Sequence, residues 1–131
     1  MKKVLTLVAL GCALFANDGK TLFEQNCASC HITTKPTPEQ RKNMVAPPIA
    51  GVMWHVKERF KTKDEAVRFI VDYVQNPSQE KALCPSVRRF GLMPKLSLPK
   101  ETLQKIADYI YDTYPPKGFV HPKKMKWNMP R

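Results

Sequence analysis

The sequence has few of the residues on which large or disulfide-stabilised proteins depend. It holds 131 residues, four cysteines and five glycines. A chain of this length forms one domain, which excludes a multidomain enzyme, and four cysteines are too few for a disulfide-dense scaffold. Acidic residues are also scarce, 11 against 22 lysines and arginines. The resulting net charge of +11 excludes an acidic disordered chain.

Long apolar runs are missing after the N-terminus. Lys2 and Lys3 precede an uncharged, mostly apolar stretch over residues 4–15, and the small Ala16 precedes polar residues. This layout predicts a secretory signal peptide over residues 1–16, because the apolar stretch is too short to span a bilayer comfortably. Cleavage would leave a soluble, exported chain, placed in the periplasm, whose net charge falls from +11 to +9 by loss of the two lysines. A retained membrane anchor and lipidation at Cys12 remain alternatives.

The mature chain shows helical patterns and no convincing pair of strands, which predicts an all-α domain over residues 17–114. Asp18 is a suitable N-cap for the first helix, and Thr62 with Glu65 forms a capping-box pattern for the third. Polar and proline-rich stretches at 32–48 and 78–98 are predicted to be irregular. The last segment, 115–131, is a basic tail rich in proline and lysine. The four predicted helices cover residues 18–26, 51–60, 62–75 and 99–114.

The chemistry is concentrated in the sequence Cys27-Ala28-Ser29-Cys30-His31. This C-x-x-C-H pattern is the attachment signature of c-type haem: two thiols three positions apart can add to the two vinyl groups of one porphyrin, and the adjoining histidine can ligate the iron. A thioredoxin-like redox pair, a zinc site and a local disulfide are the alternatives. The first needs a βαβ context and the second needs more ligands at paired spacing, neither of which is evident here.

Several further motifs, in the same order along the chain, resemble those of class I c-type cytochromes. The similarity extends from Gly19 to about residue 111. It rests on Gly19 and Phe23 before the cysteine pair, Ala46-Pro47-Pro48-Ile49-Ala50-Gly51, Tyr73-Val74-Gln75-Asn76-Pro77, Met93-Pro94, and Ile106 with Tyr109 in the last helix. The resemblance implies a cytochrome c-like bundle of three to five short helices around one haem c, attached through Cys27 and Cys30 and ligated by His31.

Met93 is the predicted second axial ligand. It lies in an irregular loop with glycine and proline, Pro94 stiffens that loop, and the family places its ligand between the middle and last helices. The resemblance further implies that the backbone carbonyl of Pro47 accepts a hydrogen bond from His31 and that Tyr73 approaches the Met93 sulfur. The stretch after Pro77 is longer than in compact members of the family and contains Cys84, whose role stays open. The other candidates for the ligand are Met44, Met53, Met125, Met129, His55 and His121.

The resemblance implies a single-electron carrier and not an enzyme. Its donor would be a quinol-oxidising complex or a dehydrogenase, and its acceptor a terminal oxidase or reductase. The basic surface predicts transient docking to acidic patches of redox proteins by a monomeric shuttle, and an exported protein would meet no nucleic acid. The alternatives are a gas- or peroxide-reactive haem protein with a labile ligand, a haem subunit of a sulfur-oxidation or peroxidase system, and a fixed subunit of a larger complex.

Overall fold

The computed structural model describes residues 18–122, and every regular element in that range is helical. This confirms the all-α prediction. The predicted signal peptide and residues 123–131 of the basic tail lie outside the described residues, so the boundaries drawn at 16 and 114 stay predictions. No helix within residues 18–122 is long and apolar enough to cross a membrane. The elements are α1 (Gly19–Asn26), α2 (Pro38–Asn43), α3 (Ile49–Arg59), α4 (Lys63–Gln75), α5 (Val87–Phe90) and α6 (Lys100–Thr113).

The N-cap contacts predicted at Asp18 and Thr62 are present. The Thr21 backbone N–H donates to Asp18 Oδ1 over 2.8 Å at the start of α1. The Glu65 backbone N–H donates to Thr62 Oγ1 over 3.3 Å at the start of α4. Each contact satisfies a backbone donor that a helix leaves without an intrahelical partner, so the first turn of each helix begins at a residue that the sequence specifies.

Two short helices lie in stretches that were predicted to be irregular. α2 begins with Pro38 in its first turn, and Thr37 and Gln40 form a reciprocal capping box. α2 buries none of its residues, so it lacks the apolar stripe by which helices are recognised in a sequence. α5 is a single turn that ends at Gly91, whose φ of 75° suits glycine. α3 begins two residues before the predicted start, and α6 begins one residue after Pro99, which serves as its N-cap.

The core is built where α6 packs against α1 and α4. Phe23 of α1 is 1% exposed, and its ring lies 5.8 Å from the ring of Tyr109 and 6.1 Å from that of Tyr114. A Cβ atom at Gly19 would collide with the backbone carbonyl of Lys105 and would lie 2.7 Å from the Cβ of Tyr109. Glycine is therefore required for α1 to approach α6 this closely. The crossing sets the position of the end of α1, from which the C-x-x-C-H turn continues.

Candidate functional site

Cys27, Cys30 and His31 lie in a tight turn that continues from α1. The Cys27 backbone N–H donates to the carbonyl of Phe23 over 2.8 Å, which closes the last turn of α1. The N–H groups of Cys30 and His31 then both donate to the Cys27 carbonyl, over 3.2 and 2.9 Å. Because Phe23 packs against Tyr109 of α6, these hydrogen bonds hold the C-x-x-C-H turn next to the close crossing of α1 and α6.

The two cysteines are free thiols in different surroundings. Cys27 is half-buried, whereas Cys30 is exposed. Burial, with a smaller contribution from the neighbouring Cys30, raises the pKa of the Cys27 thiol to about 11. Cys27 is therefore a protonated, weakly ionised thiol at neutral pH, and neither cysteine is joined to the other in a disulfide.

His31 is oriented by the loop that leads into α3. Its Nδ1 lies 2.8 Å from the carbonyl oxygen of Pro47, and the Ile49 backbone N–H donates to the Ile32 carbonyl over 3.0 Å alongside it. Since a carbonyl can only accept, Nδ1 carries the proton and Nε2 keeps its lone pair. The structure thus contains the His31–Pro47 contact that the resemblance implies.

The surroundings of His31 favour its neutral form. Burial lowers the pKa of the imidazole, and the hydrogen bond to Pro47 offsets part of that effect. Neutral imidazole is the form that binds a metal, through the nitrogen that does not carry the proton. The turn after α1 therefore presents two thiols and one metal-competent nitrogen, which is the donor set that haem c requires.

An open cavity of about 260 Å³ lies beside Cys30. Its walls combine the turn after α1 with α2 and the residues that follow α2, so the helix that sequence analysis missed borders the cavity beside Cys30. The signals of α2 in the sequence are the Thr37–Gln40 capping pattern and Pro38 in its first turn. The lining residues are Ser29, Cys30, Ile32, Glu39, Gln40, Asn43, Met44 and Val45.

Met93 lies half-buried in the loop between α5 and α6. That loop is tied to the end of α4, because the Leu96 backbone N–H donates to the Val74 carbonyl over 2.9 Å. The loop therefore has a fixed attachment three residues after Met93. The structure does not test whether Met93 ligates the iron, so ligation by Met93 stays a prediction.

The other candidate ligands have different surroundings. Met53 is fully buried in the core, and Met44 lines the cavity beside Cys30. His55 and His121 lie in contact with each other, their ring centroids 4.7 Å apart. Met125 and Met129 lie outside the described residues. Within residues 18–122 no group of three or more His, Cys, Asp or Glu is arranged to hold a metal ion, so the zinc alternative finds no such cluster there.

Tyr73 lies within electrostatic range of Cys84, which sequence analysis missed. Tyr73 stacks on Phe69 with ring centroids 5.7 Å apart. Burial and, to a smaller extent, the nearby Cys84 raise the pKa of the Tyr73 phenol. The Cys84 Sγ lies 2.7 Å from the hydroxyl of Ser86, a buried polar residue. Cys84 thus forms a polar contact with Ser86 in the stretch that follows α4. The approach of Tyr73 to Met93 stays a prediction.

Two comparisons with known proteins find similarity over most of the chain. The sequence model of the family described as cytochrome c oxidase, cbb3-type, subunit III, matches residues 15–110. A protein of Aquifex aeolicus (strain VF5), named only as an uncharacterized protein, is 32% identical over 136 aligned positions, which cover 87% of this chain and 89% of the relative. No solved structure matches the chain.

Proposed function

The chain belongs to the c-type cytochrome family described as cbb3-type cytochrome c oxidase subunit III, and from this membership we propose that it is an exported monohaem carrier of single electrons. The observation that carries the proposal is the 2.8 Å contact between His31 Nδ1, in the C-x-x-C-H turn, and the Pro47 carbonyl, in the loop that leads into α3. This contact leaves Nε2 as the one nitrogen of His31 able to ligate a metal.

Four side chains would hold the haem. Cys27 and Cys30 would each add a thiol across one vinyl group, which gives two thioether bonds, and His31 and Met93 would supply the axial ligands. When bound, haem c supplies a one-electron couple between Fe(II) and Fe(III). A thioether is a soft ligand that favours Fe(II), so Met93 would raise the reduction potential.

The domain supports electron transfer because its ligand-bearing segments are anchored independently of the haem. His31 is held by the turn after α1 and by Pro47, and the Met93 loop is held by the Leu96–Val74 hydrogen bond. A ligand set that moves little between two oxidation states lowers the reorganisation that each electron transfer requires. Electron transport by a c-type cytochrome follows from the family. That the chain acts only as an electron carrier, and not as an enzyme, is our proposal.

Export to the periplasm is supported by the N-terminal layout and by the haem. Residues 1–16 have the charge and apolar pattern of a signal peptide. Covalent haem attachment takes place outside the cytoplasm, so the C-x-x-C-H turn and the signal pattern point to the same compartment.

The proposed partners are redox proteins with acidic docking surfaces, namely a quinol-oxidising complex or dehydrogenase as donor and an oxidase or reductase as acceptor. Exposed cations flank the Met93 loop: Arg88 lies in α5 and Lys95 two residues after Met93. Cations near the ligand loop would steer the chain toward anionic surfaces and speed transient association at low salt.

Permanent attachment to an oxidase is a second candidate function. The observation behind this alternative is the description of the family, which names a subunit of an oxidase. Purification from membranes and from the soluble exported fraction separates the two. A shuttle is recovered as a free monomer, whereas a fixed subunit is recovered with its oxidase.

The Met93→Ala variant tests the electron-carrier proposal. We expect it to keep its covalent haem, to lose the absorption band of the methionine-to-iron bond, and to bind carbon monoxide rapidly when reduced. The wild type should resist carbon monoxide because both axial positions are taken.

The matched control is Met44→Ala, which removes a half-buried methionine that lines the cavity beside Cys30. It should leave the spectrum and the slow reaction with carbon monoxide unchanged. A wild-type protein that takes up carbon monoxide quickly would favour the gas-reactive alternative. A Met93→Ala variant with the native spectrum would contradict the assignment of Met93.

A further inference from the structure

Three aromatic rings from two distant parts of the chain form a cluster, here called the imidazole cluster: Trp54 and His55 of α3, and His121 after α6. His121 is stacked on Trp54, with ring centroids 4.2 Å apart and planes 20° from parallel. The His121 ring also meets His55 nearly edge to face, at 4.7 Å and 74°. Trp54 and His55 are themselves 5.0 Å apart, so each ring contacts the other two.

The imidazole cluster is where the segment after α6 packs on α3. Phe119 and His121 are half-buried, with ring centroids 6.4 Å apart. The residues around them, Lys117, Gly118, Val120 and Pro122, are exposed, and Val120 is 82% exposed. The contact therefore depends on two rings of the segment. Directly beyond it the sequence continues with Lys123, Lys124, Lys126 and Arg131.

Protonation of one imidazole of the cluster and protonation of both affect its packing differently. An imidazolium stacked on an indole face is attractive, so a single positive charge on His121 suits its place over Trp54. A second positive charge, on the half-buried His55, would lie 4.7 Å from the first between ring centroids. Like charges at that separation repel, and partial burial weakens the screening by water.

The other charges near His55 do not remove this penalty. Glu58 lies on the next turn of α3 and favours the protonated imidazole, but burial and His121 outweigh it, and the pKa of His55 is lowered. Lys57 is directed to the ring of Tyr111, 4.5 Å from its centroid. Because the folded pKa is lowered, the packing is fully stable above the usual histidine pKa of 6.5 and weakens as the pH falls from there through the lowered value.

We propose that Trp54, His55 and His121 form a pH-sensitive latch, which holds the base of the basic tail on α3 at neutral pH and releases it when both imidazoles are protonated. Each unit by which the pKa of His55 differs between the latched and the released segment changes the latch equilibrium about tenfold. None of the three latch residues belongs to the C-x-x-C-H turn or to the Met93 loop.

The experiment follows the latch by NMR in the reduced, full-length mature holoprotein between pH 8 and pH 5. We expect nuclear Overhauser contacts between the Trp54 indole and the His121 ring at pH 8 and their loss at pH 5. The amide signals of residues 119–121 should shift with the same midpoint as the ring of His55. The haem absorption spectrum should stay constant over the range, which separates the latch from any change at the iron.

Two variants distinguish a latch from ordinary packing. His55→Gln removes the second charge, so the segment should stay packed at pH values at least one unit lower than in the wild type. His121→Gln should release the segment already at pH 8 and raise the pKa of His55 toward its usual value. Indole contacts that persist at pH 5, or a His55→Gln variant that releases at the wild-type midpoint, would overturn the proposal.

Discussion

Cys27 and Cys30 lie three residues apart, yet the fold treats them differently. Cys27 closes the end of α1 and is half-buried, whereas Cys30 is exposed beside the open cavity. A substitution at Cys27 would therefore disturb packing as well as the proposed haem attachment, whereas one at Cys30 would affect the proposed attachment alone.

We expect Cys27→Ser and Cys30→Ser each to retain one haem through a single thioether bond. Cys27→Ser should be the less stable variant by about 1 kcal/mol, because it places a hydroxyl where the thiol is half-buried. Denaturant unfolding gives the difference in free energy, and the haemochrome spectrum reports the number of thioethers. Equal stabilities would contradict the structural difference, and two retained thioethers in either variant would contradict the attachment sites.

The residues of the site could be predicted from the sequence to the extent that their chemistry follows from spacing. The C-x-x-C-H pattern indicates the thiols and the histidine directly, and the resemblance implies the His31–Pro47 contact that the structure contains. The proximity of Tyr73 to Cys84 could not be predicted in this way. It depends on the path of the irregular stretch after α4, and no period in the sequence specifies that path.

Among the elements, those with an apolar stripe could be predicted from the sequence, and those without one could not. α1 and α4 begin after Asp18 and Thr62, and α4 and α6 each bury four apolar residues at helical spacing. α2 buries none and α5 is one turn long, so neither shows a hydrophobic period. α2 nevertheless lines the cavity beside Cys30, so an element that buries no residue can still border the C-x-x-C-H turn.

The crossing of α1 and α6 leads to a prediction for Gly19→Ala. A Cβ at this position meets the backbone carbonyl of Lys105, which cannot move without displacing α6. We expect a loss of about 2 kcal/mol in the free energy of unfolding, as is typical of overpacking. The control is Lys20→Ala, one position further along α1, where the side chain is exposed and its change should stay within about 0.5 kcal/mol. Equal stability of the two variants in denaturant unfolding would disprove the tight crossing.

The molecule as a whole carries an excess of positive charge, and this excess predicts its kinetics with small charged reactants. The oxidation of the reduced protein by ferricyanide, an anion, should slow as salt is added, because counterions screen the attraction. Oxidation by a cationic cobalt(III) complex should accelerate under the same conditions.

Lys95→Glu tests whether the charge beside the Met93 loop matters more than charge elsewhere. We expect the ferricyanide rate at low salt to fall by a factor of about three or more, because the substituted charge lies close to the ligand loop. Lys20→Glu makes the same change of charge on α1 and should have the smaller effect. If stopped-flow measurements give equal rates for the two variants, steering depends on net charge alone and not on a surface around Met93.

The central claim is that one haem c is bound covalently by the turn after α1. The direct measurement is the intact mass of the exported protein after denaturation and extraction with acidified organic solvent, taken together with its absorption spectrum. We predict the mass of residues 17–131 plus one haem, with the haem retained by the polypeptide. A mass explained by amino acids alone, or haem that is removed by the extraction, would contradict the account.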